Sequence, residues 1–249
     1  MWSWQNRAAV AGTLYLGTSG YAYDEWKGIF YPEGLKARQM LSYFASQFRS
    51  VEINYTFRHH PSEKTIQRWR SQTPDGFAFT LKAHQSITHR LRLADAGDAV
   101  AFFVERARLL EERLGTILFQ CPPSLRYDRE RAEGFLKVLP AGGRYAMEFR
   151  HPSWEDARAL LEEHGVAWCM AETDETSAGP DSFDPFGYLR LRKEAYTDDE
   201  IAGWASRVGG ALESGRDVYC YFKHEEKGIG PVHAERLADL LGASRTAGP

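Results

Sequence analysis

Cysteine is scarce: Cys121, Cys169 and Cys220 are the only three among 249 residues. Their odd number and wide spacing exclude a disulfide framework, and no two stand at metal-ligand spacing. Each sits in an apolar run, so the expectation is a buried, reduced thiol in a cytoplasmic protein. Long hydrophobic runs are missing too. No stretch approaches the roughly 18 apolar residues of a membrane span, and residues 1–13 lack the apolar core of a signal peptide. No membrane partner is expected. Neither sign of charge dominates. A net charge of -3 argues against a general polyanion binder held by diffuse positive charge, though not against a local basic patch. Internal repeats, low-complexity segments and His-x-His or His-Glu-x-x-His spacings are all absent.

What remains is the composition of an ordinary globular protein, with 43% hydrophobic and 26% charged residues. Short apolar runs alternate with amphipathic stretches. Strands are expected at Thr13–Thr18, Ser50–Tyr55, Phe77–Lys82, Thr116–Cys121, Tyr145–Phe149, Ala167–Glu172, Tyr188–Arg192 and Asp217–Lys223. Helical patterns fall at Leu35–Phe48, Pro61–Arg70, Asp98–Leu114, Asp128–Leu139, Trp154–His164, Asp198–Leu212 and Val232–Leu241. The clearest of them, Asp98–Leu114, sets Phe102, Phe103, Ala107, Leu110 and Leu114 at helical spacing. Thr173–Phe186 is rich in Gly, Pro, Ser and Asp and reads as a long loop, either a lid or a plain connector.

Eight strands alternating with helices are the pattern of a single TIM-type (β/α)8 barrel, here with a long loop in place of the helix after strand 6. An open doubly wound sheet is the alternative, and Gly17-Thr18-Ser19-Gly20 matches its Gly-rich first turn weakly. The barrel domain is expected over residues 13–242, with residues 1–12 a loose N-terminal segment and 243–249 a loose C-terminal tail.

Alternate residues of a strand face opposite sides of the sheet. One side of each expected strand is bulky and apolar, as the layer beneath the helices must be. The other turns polar near the strand ends, which assigns Glu52, Asn54, Lys82, Gln120, Glu148, Arg150, Glu172, Arg190 and Lys223 to the interior or its C-terminal mouth. Unpaired buried charge is costly. These groups therefore pair with one another in a structural ion network, or they meet a ligand at the face where barrels place their active sites.

Several motifs are distinctive. They include Gly17-Thr18-Ser19-Gly20-Tyr21, Trp26 followed by Phe30-Tyr31-Pro32, and Val51-Glu52-Ile53-Asn54-Tyr55-Thr56-Phe57. Further along come Ile87-Thr88-His89, Leu118-Phe119-Gln120-Cys121-Pro122-Pro123-Ser124, Glu148-Phe149-Arg150-His151 and Tyr221-Phe222-Lys223-His224. In this order, and over nearly the whole chain, they resemble the YecE-like family, also called domain of unknown function family 72. The resemblance implies a TIM barrel and supplies no reaction. The chain departs from the family pattern at Arg58, at Arg192-Lys193 and at Lys223-His224, each of which adds positive charge at the mouth.

The candidate site follows from these residues. Glu52 and Glu148 are the candidate acid–base pair. Asn54, Lys82, Gln120, Arg150, Arg190, Lys223 and His224 are the candidate substrate-binding groups, with the cations suited to phosphate. The expected partner is a phosphate-bearing or nucleotide-like small molecule, or a nucleic-acid fragment, and the expected activity a phosphoester hydrolase. Alternatives are a non-catalytic binder of a metabolite or nucleic-acid end, and a divalent-metal-dependent hydrolase. For the latter His84, Glu148, His151, Glu172, Asp174 and His224 are candidate ligands, although neighbouring Lys and Arg oppose a cation, and no metal set or cofactor is assigned. The aromatic group Tyr21, Tyr23, Trp26, Phe30 and Tyr31 suits either stacking on a sugar or base or packing as a lid.

Overall fold

A computed structural model describes residues 11–176, 182–223, 228–243 and 246. The expected loose ends therefore fall mostly outside the described residues, as do part of the long loop and His224. Strands β1 (Leu14–Ser19), β2 (Ser50–Ile53), β3 (Ala78–Lys82), β4 (Leu114–Gln120), β5 (Tyr145–Glu148), β6 (Ala167–Glu172), β7 (Gly187–Leu191) and β8 (Val218–Phe222) form a closed barrel. Every neighbouring pair is parallel, and β8 pairs with β1.

Helices α1 (Met40–Gln47), α2 (Glu63–Ser71), α3 (Gly97–Arg108), α4 (Arg129–Lys137), α5 (Arg158–Glu163), α6 (Asp198–Glu213) and α7 (Ile229–Leu241) accompany the barrel. Among the described residues no helix lies between β6 and β7, as the Gly/Pro-rich stretch implied. Ser62 and Asp128 cap α2 and α4 by accepting from the Thr65 and Arg131 amides. Thr197 and Glu200 form a reciprocal capping box on α6. None of the described helices is long and apolar enough to cross a membrane.

Three helices are shorter than expected: α1 and α5 begin only at Met40 and Arg158, each after a 3-10 turn, and α3 ends early. Helix α3 stops at Arg108, Glu111 takes a left-handed φ of 53°, and β4 already begins at Leu114. Its buried stripe is Val100, Phe103, Val104 and Ala107, and Phe102 faces outward instead. The apolar signal of Leu114 belongs to a strand, and periodicity alone could not separate the two.

Two apolar layers result. The larger lies between strands and helices. The smaller fills the barrel with Ala78, Leu118, Ala146, Ala167, Cys169, Phe186, Tyr188, Tyr219 and Tyr221. Small residues on β3, β5 and β6 leave room for tyrosines on β7 and β8, in place of the branched aliphatic layers usual in such barrels. Gly17 serves the same crowding: a Cβ there would stand 1.8 Å from the Ser50 carbonyl oxygen. All three cysteines are buried and unpaired.

Buried phenols need partners. Ser50 Oγ donates to the Ala78 carbonyl (2.7 Å), so the Tyr221 hydroxyl donates to Ser50 Oγ and accepts from Thr80 Oγ1, each at 2.7 Å. Replacing Tyr221 by Phe leaves Thr80 without its partner inside the barrel. We expect Tyr221→Phe to cost about 1–3 kcal/mol, read as a lower urea midpoint at unchanged slope. An unchanged midpoint would show that the chain of hydroxyls contributes nothing.

Candidate functional site

The site is built on one guanidinium. Arg190, on β7, is 1% exposed and lies between two fully buried carboxylates, Glu52 on β2 and Glu148 on β5. Its Nη2 and Nε donate to Glu52 Oε1 (2.9 and 3.2 Å), and its Nη1 donates to Glu148 Oε2 (2.5 Å). Ser19 and Tyr188 each donate to Glu52 at 2.6 Å. Arg150 donates to Glu148 Oε1 at 3.0 Å, and Arg192 lies 3.8 Å from the same oxygen. Strands that are far apart in sequence are thereby tied through the barrel's centre.

Burial alone would raise both carboxyl pKa values. Around Glu52, Arg190 together with the Ser19 and Tyr188 hydroxyls outweighs burial and holds the group below its ordinary range. Around Glu148 burial is overcome by Arg190, then Arg192 and Arg150, leaving the carboxyl at about 2. Both glutamates are therefore ionised at neutral pH and act on the site as fixed negative charge.

Lys82 differs. It ends β3, is 9% exposed, and donates from Nζ to Gln120 Oε1 at 2.6 Å. Nζ also sits 4.1 Å from the Phe57 ring centroid. Burial, then the charge of Arg190, pushes its pKa down to about 8 against the opposing pull of Glu52 and Glu148.

Above this layer opens a cavity of about 570 Å³. Its cations are Arg58, Lys82, Arg150, Arg190, Arg192 and Lys223, its histidines His59 and His89, and among the described residues no carboxylate lines it. Asn54, Gln120, Tyr55 and Phe57 complete the wall. His89 arrives on a π-helical turn, Ser86–Arg90, that leads into left-handed backbone at Arg92, Leu93 and Asp95. Such irregular segments gather at functional sites. Desolvation, then Lys82 and Arg150, hold the His89 imidazole below its usual pKa.

The expected residues thus converge, with two differences. Glu52 and Glu148 lie beneath the cavity rather than on its wall, while Asn54, Lys82, Gln120, Arg150, Arg190 and Lys223 line it. Glu172 does not face inward. Ala167 and Cys169 fill the interior, so period two turns Glu172 toward the helices, where it accepts from Trp204 Nε1 of α6 (3.0 Å). Of the candidate metal ligands, His84 and His151 bond the nearby Ser86 and Ser153. No three His, Cys, Asp or Glu side chains converge as a metal site among the described residues. The aromatic group divides: Trp26, Phe30 and Tyr31 are core, whereas Tyr21 and Tyr23 line a cleft of about 400 Å³ with Trp69 and Arg68. Asn54 and Tyr55 border both cleft and cavity.

The profile of the family described as "Protein of unknown function DUF72" matches residues 15–248. This chain belongs to the DUF72 family. UPF0759 protein YecE of Escherichia coli K12 is 31% identical over 162 residues, 61% of this chain; the match spans 57% of that relative's length. UPF0759 protein YunF of Bacillus subtilis is 22% identical over 92% of this chain and 94% of its own. A DUF72 protein from Thermotoga maritima superposes with a TM-score of 0.80 at 28% identity, covering 92% of this chain and 99% of that one. A second, from Enterococcus faecalis, gives 0.75 at 18% identity over 95% and 99%, and speaks to the fold alone. None of these names carries a reaction. Arg58, Arg192 and Lys223, read from the sequence as departures from the family pattern, all stand on the cavity wall. Tyr55 and Phe57 lie in the Val51–Phe57 motif and His59 on the loop after β2, but the sequence did not assign them to the site.

Removing Arg190 strands two carboxylates together in the barrel. Arg190→Met is expected to cost about 3–5 kcal/mol, with partial recovery when Glu52→Gln and Glu148→Gln are added. A loss below about 1 kcal/mol in urea unfolding would place the triad among negligible ion pairs. Because the Glu148 pKa is depressed in the folded state, its contribution is full above about 4.5 and is lost as pH falls toward 2.

Proposed function

We propose that this protein binds a phosphate-bearing small molecule in the cationic cavity at the C-terminal mouth of its barrel. The observation that carries the reading is the wall itself: among the described residues, six Lys or Arg side chains and no carboxylate surround about 570 Å³. Guanidinium groups match phosphate oxygens in geometry as well as charge, and a partly dehydrated cavity strengthens each contact. The adjoining aromatic cleft, joined through Asn54 and Tyr55, suits a flat or apolar portion of the same ligand, as in a nucleotide. Three buried, unpaired thiols fit a reducing compartment, the cytoplasm, as its place of work.

Binding is favoured over hydrolysis by the state of the glutamates. As acid or base, Glu52 or Glu148 would first have to release Arg190 and then titrate below the ordinary carboxyl range, Glu148 at about 2. The phosphoester-hydrolase reading draws on another observation. Lys82 at about 8 and a neutral His89 are groups able to exchange protons near neutral pH at the cavity wall. A nucleic-acid end would present the same phosphate chemistry, and calorimetry with mononucleotides against short oligonucleotides separates the two.

The test is titration calorimetry with inorganic phosphate, AMP and adenosine. AMP is expected to bind, and adenosine to bind far more weakly. Arg150→Ala and Arg192→Ala should each weaken AMP at least about tenfold, since a hydrogen bond to a charged group contributes about 1.5–3 kcal/mol. Affinity should also fall as pH rises through about 8, where Lys82 loses its charge, and Lys82→Arg should remove that fall. A thermal-shift series in which no phosphate compound stabilises the wild type would sink the proposal.

A further inference from the structure

We propose that Lys82 is an amine nucleophile that forms an imine with a carbonyl group on the cavity's anionic ligand, which makes phosphorylated aldehydes and ketones its ligand class. The proposal rests on the anion-binding reading above and adds a covalent step to it.

Four arginines already line the cavity, Arg58, Arg150, Arg190 and Arg192, and none of them gives up a proton at any ordinary pH. Lys82 is placed to do so. Among the described residues no carboxylate lies within ion-pair distance of it, because Arg190 engages both Glu52 and Glu148. Its hydrogen-bond partner is the neutral carbonyl oxygen of Gln120, which brings no counter-charge to the ammonium and can still accept from the amine. Its other neighbour is the Phe57 ring face, 4.1 Å from Nζ, a cation–π contact that excludes water but offsets only part of the cost of burying the ammonium. A lysine desolvated beside fixed cations is a recognised way of activating an amine, and the lowered pKa of about 8 agrees with it. The position is also rigid. Lys82 closes β3, and Thr56 Oγ1 donates to its carbonyl at 2.7 Å.

The step balances without any further reactant. The ammonium first releases a proton, to water or to the neutral imidazole of His89, which packs on Phe57 with centroids 5.0 Å apart. The nitrogen lone pair then forms the C–N bond while the carbonyl oxygen takes up a proton. Loss of that hydroxyl with a second proton expels one water and leaves the C=N bond. The surrounding arginines hold the phosphate during these transfers, and the carbonyl is thereby presented to Nζ.

Pyridoxal 5′-phosphate serves as the probe, because it joins an aldehyde to a phosphate on one small ring. The wild-type protein is incubated with it at pH 7.5, reduced with borohydride, and mapped by peptide mass spectrometry. The expected result is an adduct near one per chain at Lys82, suppressed by inorganic phosphate. It should fall at least tenfold with pyridoxal, which lacks the phosphate, and be absent from Lys82→Arg. Competitive labelling with acetic anhydride supplies a second readout independent of any ligand: Lys82 should titrate near 8, below the ordinary lysine range. Labelling spread over exposed lysines, or an adduct at Lys82 that phosphate does not suppress, overturns the proposal. Phosphate calorimetry on the same sample separates the two layers. With phosphate binding intact, only the imine fails; without it, the anion site fails first and the imine with it.

Discussion

The Arg190 guanidinium, held between Glu52 and Glu148, is the interaction on which the rest of the site depends. It links β2, β5 and β7 through the barrel's centre, and no one of the three charges is tolerable there without the others. Once it is in place the carboxylates are consumed. Lys82 has no ion-pair partner among the described residues, and Arg150 and Arg192 share the one Glu148 carboxylate with Arg190. The cationic character of the mouth is therefore a product of the buried triad and not of the chain's overall charge, which is -3.

The barrel interior makes that arrangement possible. Alanines and a cysteine on β3, β5 and β6 face tyrosines on β7 and β8, and each phenol reaches a polar partner. Tyr188 donates to Glu52, Tyr221 bridges Ser50 and Thr80, and Tyr219 accepts from Arg144 at the opposite end. A hydrogen-bonded interior of this kind carries polarity from the floor of the barrel to its mouth, where an aliphatic filling would have insulated the charges. The same rigidity sets Lys82 beside Gln120 and Phe57, with its charge balanced near the point of proton loss.

Much of this was legible in the chain. Period-two alternation on β2, β3, β5, β7 and β8 assigned Glu52, Lys82, Glu148 and Arg190 to the interior, since side-chain direction on a strand is a local property. It misassigned Glu172, where the parity of Ala167 and Cys169, small rather than bulky, was the better guide. Glu52 and Glu148, read from the sequence as candidate acid and base, stand together as ion partners of one arginine. Composition could name the charges; which of them neutralise each other depends on distances across the barrel.

By itself the sequence determined the eight-strand parallel barrel, the family resemblance, and the end of the barrel at which charge collects. These follow from local periodicity and from motifs read in order. The tertiary structure alone decided that Arg190 engages both glutamates, that Phe57, His59 and His89 join the cavity wall, and that Tyr55 borders cavity and cleft together. Those are contacts between segments far apart in the chain, and their energies turn on ångström separations and on water exclusion that no linear pattern encodes. Polar residues gather at one end of the barrel because strands end there; that they form a cationic cavity over a neutralised floor is a matter of packing.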